Sequence, residues 1–327
     1  MLNLGIEFPE QGVAGLFDLG SAPEPGPAEI LIRTQYSGVT NGTERHAMMG
    51  DFNWKSYPGR HGYQHVGIVE KTGSAVSGFQ EGDRLFFGRY VGHRGWHVQE
   101  VDDADTNAYR SHLCLPLPDD VDPELCALFG VAGVAMRAVR RCRVADGHRV
   151  WVVGAGLIGQ FAAQAARAFG AQVAVTDVID KRLEIAEKAG AHRVLNATKE
   201  NTYQALQEGG PYDRIIDASG YPPLFAEVHE HNLLAYRGVI GAIAVRGDTV
   251  FPWSMFHGRE ASIEVSCHFS LDDLQVVLHF VRRGTIQIEP LVLHRAPVTE
   301  APKLYEMLRD HREEMLGIVF QWDVNLA

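Results

Sequence analysis

The chain is poor in cysteine, with four in 327 residues. Cys114, Cys126, Cys142 and Cys267 are scattered, and no C-x-x-C pair occurs. That spacing argues against a disulfide framework and a clustered structural zinc site, and it fits reduced thiols in a cytoplasmic protein. Basic charge is also short. Thirty Lys and Arg face 41 Asp and Glu, for a formal net charge of −11. A nucleic acid or an anionic membrane needs a positive footprint, so neither is expected as the main partner. No apolar run approaches the length of a membrane span. The opening, MLNLGIEFPE, has neither the basic start nor the apolar stretch of a secretory signal. Internal repeats and low-complexity segments are missing too. What remains is an ordinary soluble composition, 46% hydrophobic and 22% charged, long enough for about two domains.

Val150–Asp177 is the stretch with the clearest chemistry: VWVVGAGLIGQFAAQAARAFGAQVAVTD. An apolar run, Val150–Val153, leads into Gly154, Gly156 and Gly159. A small-residue helix pattern follows through Phe169, Gly170 ends it, and Val173–Val175 closes on Asp177. Strand, glycine turn, helix, strand and acid in that order form a dinucleotide cradle. Gly154 permits the turn, Gly156 lets backbone approach a pyrophosphate, and Gly159 lets helix pack on strand. The helix N-terminus, at Leu157 and Ile158, offers N–H groups to phosphate. Asp177 is placed to accept hydrogen bonds from an adenosine ribose and to repel a 2′-phosphate, which favours NAD. Arg182, beside Lys181, keeps NADP open, because a cation there can take that phosphate.

Around this unit, residues 1–120 read as short strands divided by turns, among them Ser37-Gly38, Asn41-Gly42, Pro58-Gly59 and Gly82-Asp83. Ala28–Tyr36, Val66–Val69 and Leu113–Leu117 are strand candidates in a small barrel, and Asp102–Asn107 a polar loop. Pro123–Val139 reads as one helix leading into the second domain. Further strands are expected at His192–Asn196, Arg214–Ile216, within Tyr236–Ile243 (which opens on a turn) and at Ser262–Ser266, with helices at Arg182–Lys188 and around Tyr203–Gln207. Alternation of this kind gives a parallel, doubly wound α/β sheet. Leu271–Arg283 and Val298–Asp310 are amphipathic helices, and Gly317–Trp322 a closing strand.

Gly67-Ile68-Val69-Glu70, Gly73, Gly82-Asp83-Arg84, Val144-Ala145-Asp146-Gly147 and Asp217-Ala218-Ser219-Gly220 accompany the glycine turn. With these residues the chain resembles the medium-chain dehydrogenase/reductase superfamily along nearly its whole length. The resemblance implies a GroES-like barrel over 1–125 and 285–327 and a Rossmann domain over 126–284. It also implies a homodimer, pairing through the sixth strand, and cofactor contacts at Ala218, Ser219 and Gly220. Zinc members use a cysteine in a GxCGTD-like segment and a histidine in a GHE segment as metal ligands. Aligned on Gly42-Thr43-Glu44, Asn41 takes the cysteine position here, or Thr40 with one residue of slippage. Tyr63 takes that of the histidine and Gln64 that of the glutamate. No zinc is therefore expected. The segments SGVTNGTE and GYQ are similar to a branch with SGxxxGTE and GYE patterns. That branch holds bacteriochlorophyllide a 3-hydroxyethyl dehydrogenases and dehydrogenase-like proteins of sugar and cyclitol metabolism.

Without zinc a side chain must take the alcohol proton. Tyr63, at a ligand position, is a candidate to hold the substrate oxygen. His46 follows Glu44 as a histidine follows the family's aspartate, where it relays protons to solvent. Glu44 is expected to hold the loop, with Asn41 and Gln64 nearby. His61, Tyr63 and His65 would share a face if the segment is a strand, and with His93 and His97 they offer an alternative metal site. Trp54, Phe87, Tyr90 and Trp96 are candidates to line a ring-shaped pocket. The function expected is a zinc-independent NAD(P)-dependent dehydrogenase interconverting a secondary alcohol of a sugar, cyclitol or other ring-bearing polyol with its ketone. The alternatives are a quinone or enone reductase and a dinucleotide-binding protein without turnover.

Overall fold

The computed structural model describes residues 3–101 and 112–322. The Asp102–Asn107 loop lies outside the described residues. Two compact units emerge. One comprises Met1–Gly130, Ser270–Gln275 and Val292–Ala327, and the other Val131–Phe269 and Val276–Leu291. Among the described residues no helix is long and apolar enough to cross a membrane.

The first unit opens on a hairpin, β1 (Leu4–Glu7) with β2 (Gly15–Asp18). Then come β3 (Glu29–Gly38), α1 (Asn41–Met49), β4 (His65–Thr72), β5 (Arg84–Phe87), β6 (Trp96–Glu100), β7 (Cys114–Pro116) and α2 (Pro123–Cys126). Helix α3 (Phe129–Arg141) follows. In β3, Ile30 and Ile32 alternate onto one face and pack with Val69, Leu85, Phe87 and Cys114. Two expectations differ here. The Asn41-Gly42 pair opens α1 rather than a turn, because the Glu44 carboxylate turns back to accept the Thr40 N–H at 2.7 Å. The single helix expected over Pro123–Val139 breaks at Ala127–Leu128 into α2 and α3. A Cβ at Gly38 would meet the Ala127 carbonyl oxygen at 2.2 Å, so β3 abuts the backbone at that break.

The second unit runs β8 (Arg149–Val153), α4 (Leu157–Ala168), β9 (Gln172–Asp177), α5 (Asp180–Lys188), β10 (Arg193–Asn196), α6 (Thr202–Gly209) and β11 (Tyr212–Asp217). It continues with α7 (Leu224–Glu230), β12 (Leu234–Ala242), α8 (Trp253–Arg259), β13 (Ser262–Val265) and α9 (Leu271–Arg282). Its six strands are all parallel in the order β10-β9-β8-β11-β12-β13. The turn expected ahead of the fifth strand lies inside β12. Arg237 adopts φ 55° there and the register against β11 shifts, so a bulge absorbs it. The chain then returns to the first unit as β14 (Val292–Pro297), α10 (Ala301–Asp310) and β15 (Gly317–Gln321). Sheet order in that unit is β14-β15-β3-β4-β5-β7, with β6 also on β3.

Candidate functional site

In the second unit the strand order reverses between β8 and β11, and ligands of such sheets bind beyond the strand ends at that point. Gly154 leaves β8 at φ 91°. A Cβ on Gly159 would fall 1.8 Å from the Gly154 carbonyl oxygen, so only glycine allows this approach of helix to turn. Gly156 has open space where a side chain would be, and it starts α4 without a side-chain cap. Uncapped N–H groups at Leu157 and Ile158 beside open space are what a pyrophosphate requires. Asp177 ends β9 nearly buried. Its carboxylate accepts the Ala155 N–H at 2.6 Å and the Ile179 N–H at 2.9 Å. Two backbone donors fix its position and leave lone pairs for a hydroxyl. Arg182 stands in the first turn of α5, and its carbonyl accepts from the Gln160 amide at 2.7 Å. Beside the glycine turn, Asp217 ties down the next loop through the Ser219 N–H (2.9 Å), the Ser219 hydroxyl (2.8 Å) and the Gly220 N–H (3.0 Å). Arg246, after β12, pairs with its other oxygen at 2.7 Å. The residues present fit a dinucleotide.

In the first unit a buried polar chain crosses the core. Glu44 is fully buried. Its carboxylate accepts the Thr40 N–H, meets His93 Nε2 at 3.0 Å, and accepts the Tyr305 hydroxyl. His93 Nδ1 lies 2.9 Å from Ser37 Oγ, which also accepts the Trp322 indole N–H at 2.9 Å. Burial pushes the Glu44 pKa up, but the His93 charge and the hydrogen bonds from His93, Tyr305 and Thr40 outweigh it and hold the group low. The same burial, with the Glu44 charge, pushes the Tyr305 hydroxyl well above its usual range. Glu44 is thus an ionised acceptor wholly inside the protein.

Residues 26–133 match the family model of the alcohol dehydrogenase GroES-like domain, and 158–283 that of zinc-binding dehydrogenases. An L-threonine 3-dehydrogenase of Deinococcus deserti is 32% identical over 71% of this chain and 74% of its own. The chain belongs to the alcohol dehydrogenase-like medium-chain dehydrogenase/reductase superfamily. An L-galactonate-5-dehydrogenase of Escherichia coli is 28% identical over 91% of this chain and 93% of its own. An alcohol dehydrogenase from Escherichia coli CFT073, solved with NADH, superposes with a TM-score of 0.85 at 18% identity, covering 98% and 99%. The activity class is that of an NAD(P)-dependent oxidoreductase acting on CH–OH groups. Its first unit is GroES-like and its second Rossmann-like.

In this dehydrogenase the residues singled out for catalysis separate. Asn41 starts α1, where its amide donates to the Leu316 carbonyl at 2.6 Å while Oδ1 is buried without a partner. Tyr63 is 4% exposed, stacked on Tyr90 with ring centroids 5.7 Å apart, and a Cβ on Gly130 would meet its ring at 2.9 Å. Gln64 is buried and donates to Thr40 Oγ1 at 3.1 Å. His46 pairs with Asp51 at 2.8 Å. It lies two residues beyond Glu44, about 200° around the helix, so it is not part of the buried chain. His93, Tyr305, Ser37 and Trp322 escaped the sequence analysis as members of one network. The nearest signal was the isolated carboxylate of Glu44, which requires buried partners.

The four histidines do not share a face. The segment before β4 is not strand, and Gly62 at φ 124° turns it. His61 packs on Phe8 and Tyr90, whereas His65 lies inside the barrel, 4.4 Å from His97 and 5.5 Å from His93 between ring centroids. Their donor atoms do not converge as ligands do. Among the described residues, the group with converging ligand atoms is His311, Glu313 and Glu314, all exposed. Phe87 is core, packed on His65 and His97.

Burial lowers the pKa of both His65 and His97 well below 6.5, each assisted by neighbouring positive charge. Both are neutral in the fold but take up protons near pH 6.5 when unfolded. Below that pH the unfolded state binds more protons, so stability falls with pH by about 1.4 kcal/mol per unit for each ring. Urea melts at pH 7.5, 6.5 and 5.5 should show stability falling below pH 6.5, with a shallower slope in His65→Leu.

Proposed function

We propose a zinc-independent, NAD-preferring dehydrogenase that interconverts a secondary alcohol on a sugar, cyclitol or related polyol with its ketone. The donor set carries the zinc-independence. At the positions matching the family's cysteine and histidine ligands stand Asn41, whose amide already donates to Leu316, and Tyr63, buried against Gly130 and Tyr90. Neither offers thiolate, imidazole or carboxylate, so the residues do not fit Zn²⁺. Asn41 Oδ1, buried and unpartnered, is instead suited to accept a substrate hydroxyl.

Gly154, Gly156, Gly159 and the α4 N-terminus would hold the pyrophosphate, and Asp177 the adenosine ribose. When bound, the nicotinamide supplies the acceptor for the hydride leaving the alcohol carbon. Ala218, Ser219 and Gly220, fixed by Asp217, would border it. The Asp177 carboxylate disfavours NADPH, and with it the quinone and enone reductases that use that cofactor. A homodimer through β13, an edge strand with Val265 66% exposed, and a cytoplasmic location belong to the same proposal.

Elemental analysis of pure protein, with NADH and NADPH titrations and a panel of sugar alcohols, sugar acids and inositols, tests it. The expected outcome is less than about a tenth of a metal per chain, NADH bound at least ~10-fold tighter than NADPH, and NAD-dependent oxidation of at least one polyol. Stoichiometric zinc would overturn the metal-free chemistry. Tight NADH binding without turnover on alcohol, ketone or enone would leave a binding protein.

A further inference from the structure

Tyr63 is buried and His46 is paired with Asp51, and another pair of residues in the first unit offers a more exposed acceptor for the alcohol proton. Tyr90 is 44% exposed, and its hydroxyl lies 2.7 Å from His61 Nδ1. Both rings are held from several sides. Tyr90 stacks on Tyr63 (5.7 Å, 23°) and meets His61 edge-on (5.8 Å, 80°), while His61 stacks on Phe8 (5.5 Å, 17°). The two backbone segments are joined as well. Val91 and Gly92 N–H donate to the Gly62 carbonyl at 3.2 and 3.0 Å, and His93 N–H to that of His61 at 3.1 Å. Gly62 is required for this arrangement, since a Cβ there would lie 2.5 Å from the His93 ring. The hydroxyl and the imidazole are thus preorganised, and the pair adjoins Tyr63, the residue at the family's metal-ligand position. Burial, with His93 adding to it and Glu44 opposing, lowers the His61 pKa, so the ring is a neutral acceptor near pH 7.

We propose that Tyr90 is the catalytic residue that takes the substrate's hydroxyl proton, and that His61 behind it receives the proton Tyr90 gives up. This rests on the dehydrogenase function proposed above. In the oxidation the substrate O–H proton passes to Tyr90 Oη as the Tyr90 proton passes to His61 Nδ1. The C–H bond breaks with its electron pair, which an oxidised nicotinamide would take up as hydride when bound, and the carbonyl forms. His61, now an imidazolium, gives a proton to water and returns to the Nε2–H tautomer, which frees Nδ1 for the next turnover. Reduction runs the same steps backwards. A phenol alone is a weak acceptor at neutral pH, and the imidazole gives its proton a destination. Tyr63 is a positioning residue whose ring fixes that of Tyr90.

The experiment uses the full chain with a substrate identified from the polyol panel. Tyr90→Phe should lower kcat by about 10²–10⁴-fold, with KM changed less than about threefold and NADH binding unchanged. His61→Ala should lose activity similarly and regain part of it with added imidazole, which a merely structural role would not allow. Nitrogen NMR of the cofactor-free protein gives an independent readout. His61 should appear as the Nε2–H tautomer with Nδ1 hydrogen-bonded, and the Nδ1 resonance should move in Tyr90→Phe. Wild-type protein that turns over while Tyr90→Phe keeps its kcat would overturn the relay alone. Wild-type protein that oxidises nothing in the panel would overturn the dehydrogenase function and the relay with it.

Discussion

Glu44→Ala is expected to lower stability by about 3–5 kcal/mol, because it strips a buried charge network of its acceptor. Three donors lose their partner at once: the Thr40 N–H, His93 Nε2 and the Tyr305 hydroxyl. None can turn to water, since His93 and Tyr305 are each 1% exposed. Each unsatisfied buried group costs about 1–3 kcal/mol. Glu44→Gln keeps the shape and two acceptor lone pairs but loses the charge, so it should fall between alanine and wild type. Chemical denaturation at pH 7.5 measures all three. A Glu44→Ala protein within about 1 kcal/mol of wild type would mean that the network is no stronger than a surface ion pair.

Gly159→Ala should abolish measurable dinucleotide binding, raising Kd at least ~100-fold, or about 2.7 kcal/mol. The added methyl would sit 1.8 Å from the Gly154 carbonyl oxygen, and backbone has no rotamer with which to yield. Either the turn or α4 must move, and the phosphate-facing N–H groups move with them. Gly156→Ala is the control. Nothing surrounds that position and its φ of −64° suits any residue, so the protein should melt as wild type does. Its methyl nevertheless occupies the space where a pyrophosphate would lie, so NADH should bind more weakly. Calorimetric titration with thermal melts separates the two. A loss of stability only in Gly159→Ala, with weakened binding in both, is the expected pattern.

The dinucleotide unit was legible because its constraints are local. Gly154, Gly156, Gly159 and Asp177 lie within one strand–turn–helix–strand, with Gly154 at the turn and Gly159 at the close approach of helix to turn that their spacing suggested. The sixth strand was legible too, expected at Ser262–Ser266 and found at Ser262–Val265. The first unit was harder to read. Many of its strands are short, and β2 and β14 carry no strong alternation. At the candidate site, sequence proximity misled. His46 lies two residues from Glu44 but off the network, while Tyr305 lies 261 residues away and touches it. His61, Tyr63 and His65 alternate in sequence, yet Gly62 at φ 124° interrupts any strand there, and His61 and Tyr63 pack on Tyr90 while His65 lies against His97. Periodicity reports a face only where the backbone is regular.

The reach of Tyr305 back to Glu44 has a consequence for how the protein is made. Ile6, Phe8, Val39 and Met48 share one core with Leu304, Tyr305, Leu308 and Phe320. The first of these leave the ribosome long before the last, because Val131–Phe269 must be translated in between. At 5–20 residues per second the interval between Gly130 and Val292 is roughly 8–30 s. Through that time the nascent barrel lacks β15 against β3 and carries an ionised Glu44 without its phenolic partner. The Rossmann-like unit, whose strands are nearly contiguous, can close during the same interval. Synthesis therefore inverts the chain order: the segment made first is finished last, and it is the one to look for on chaperones.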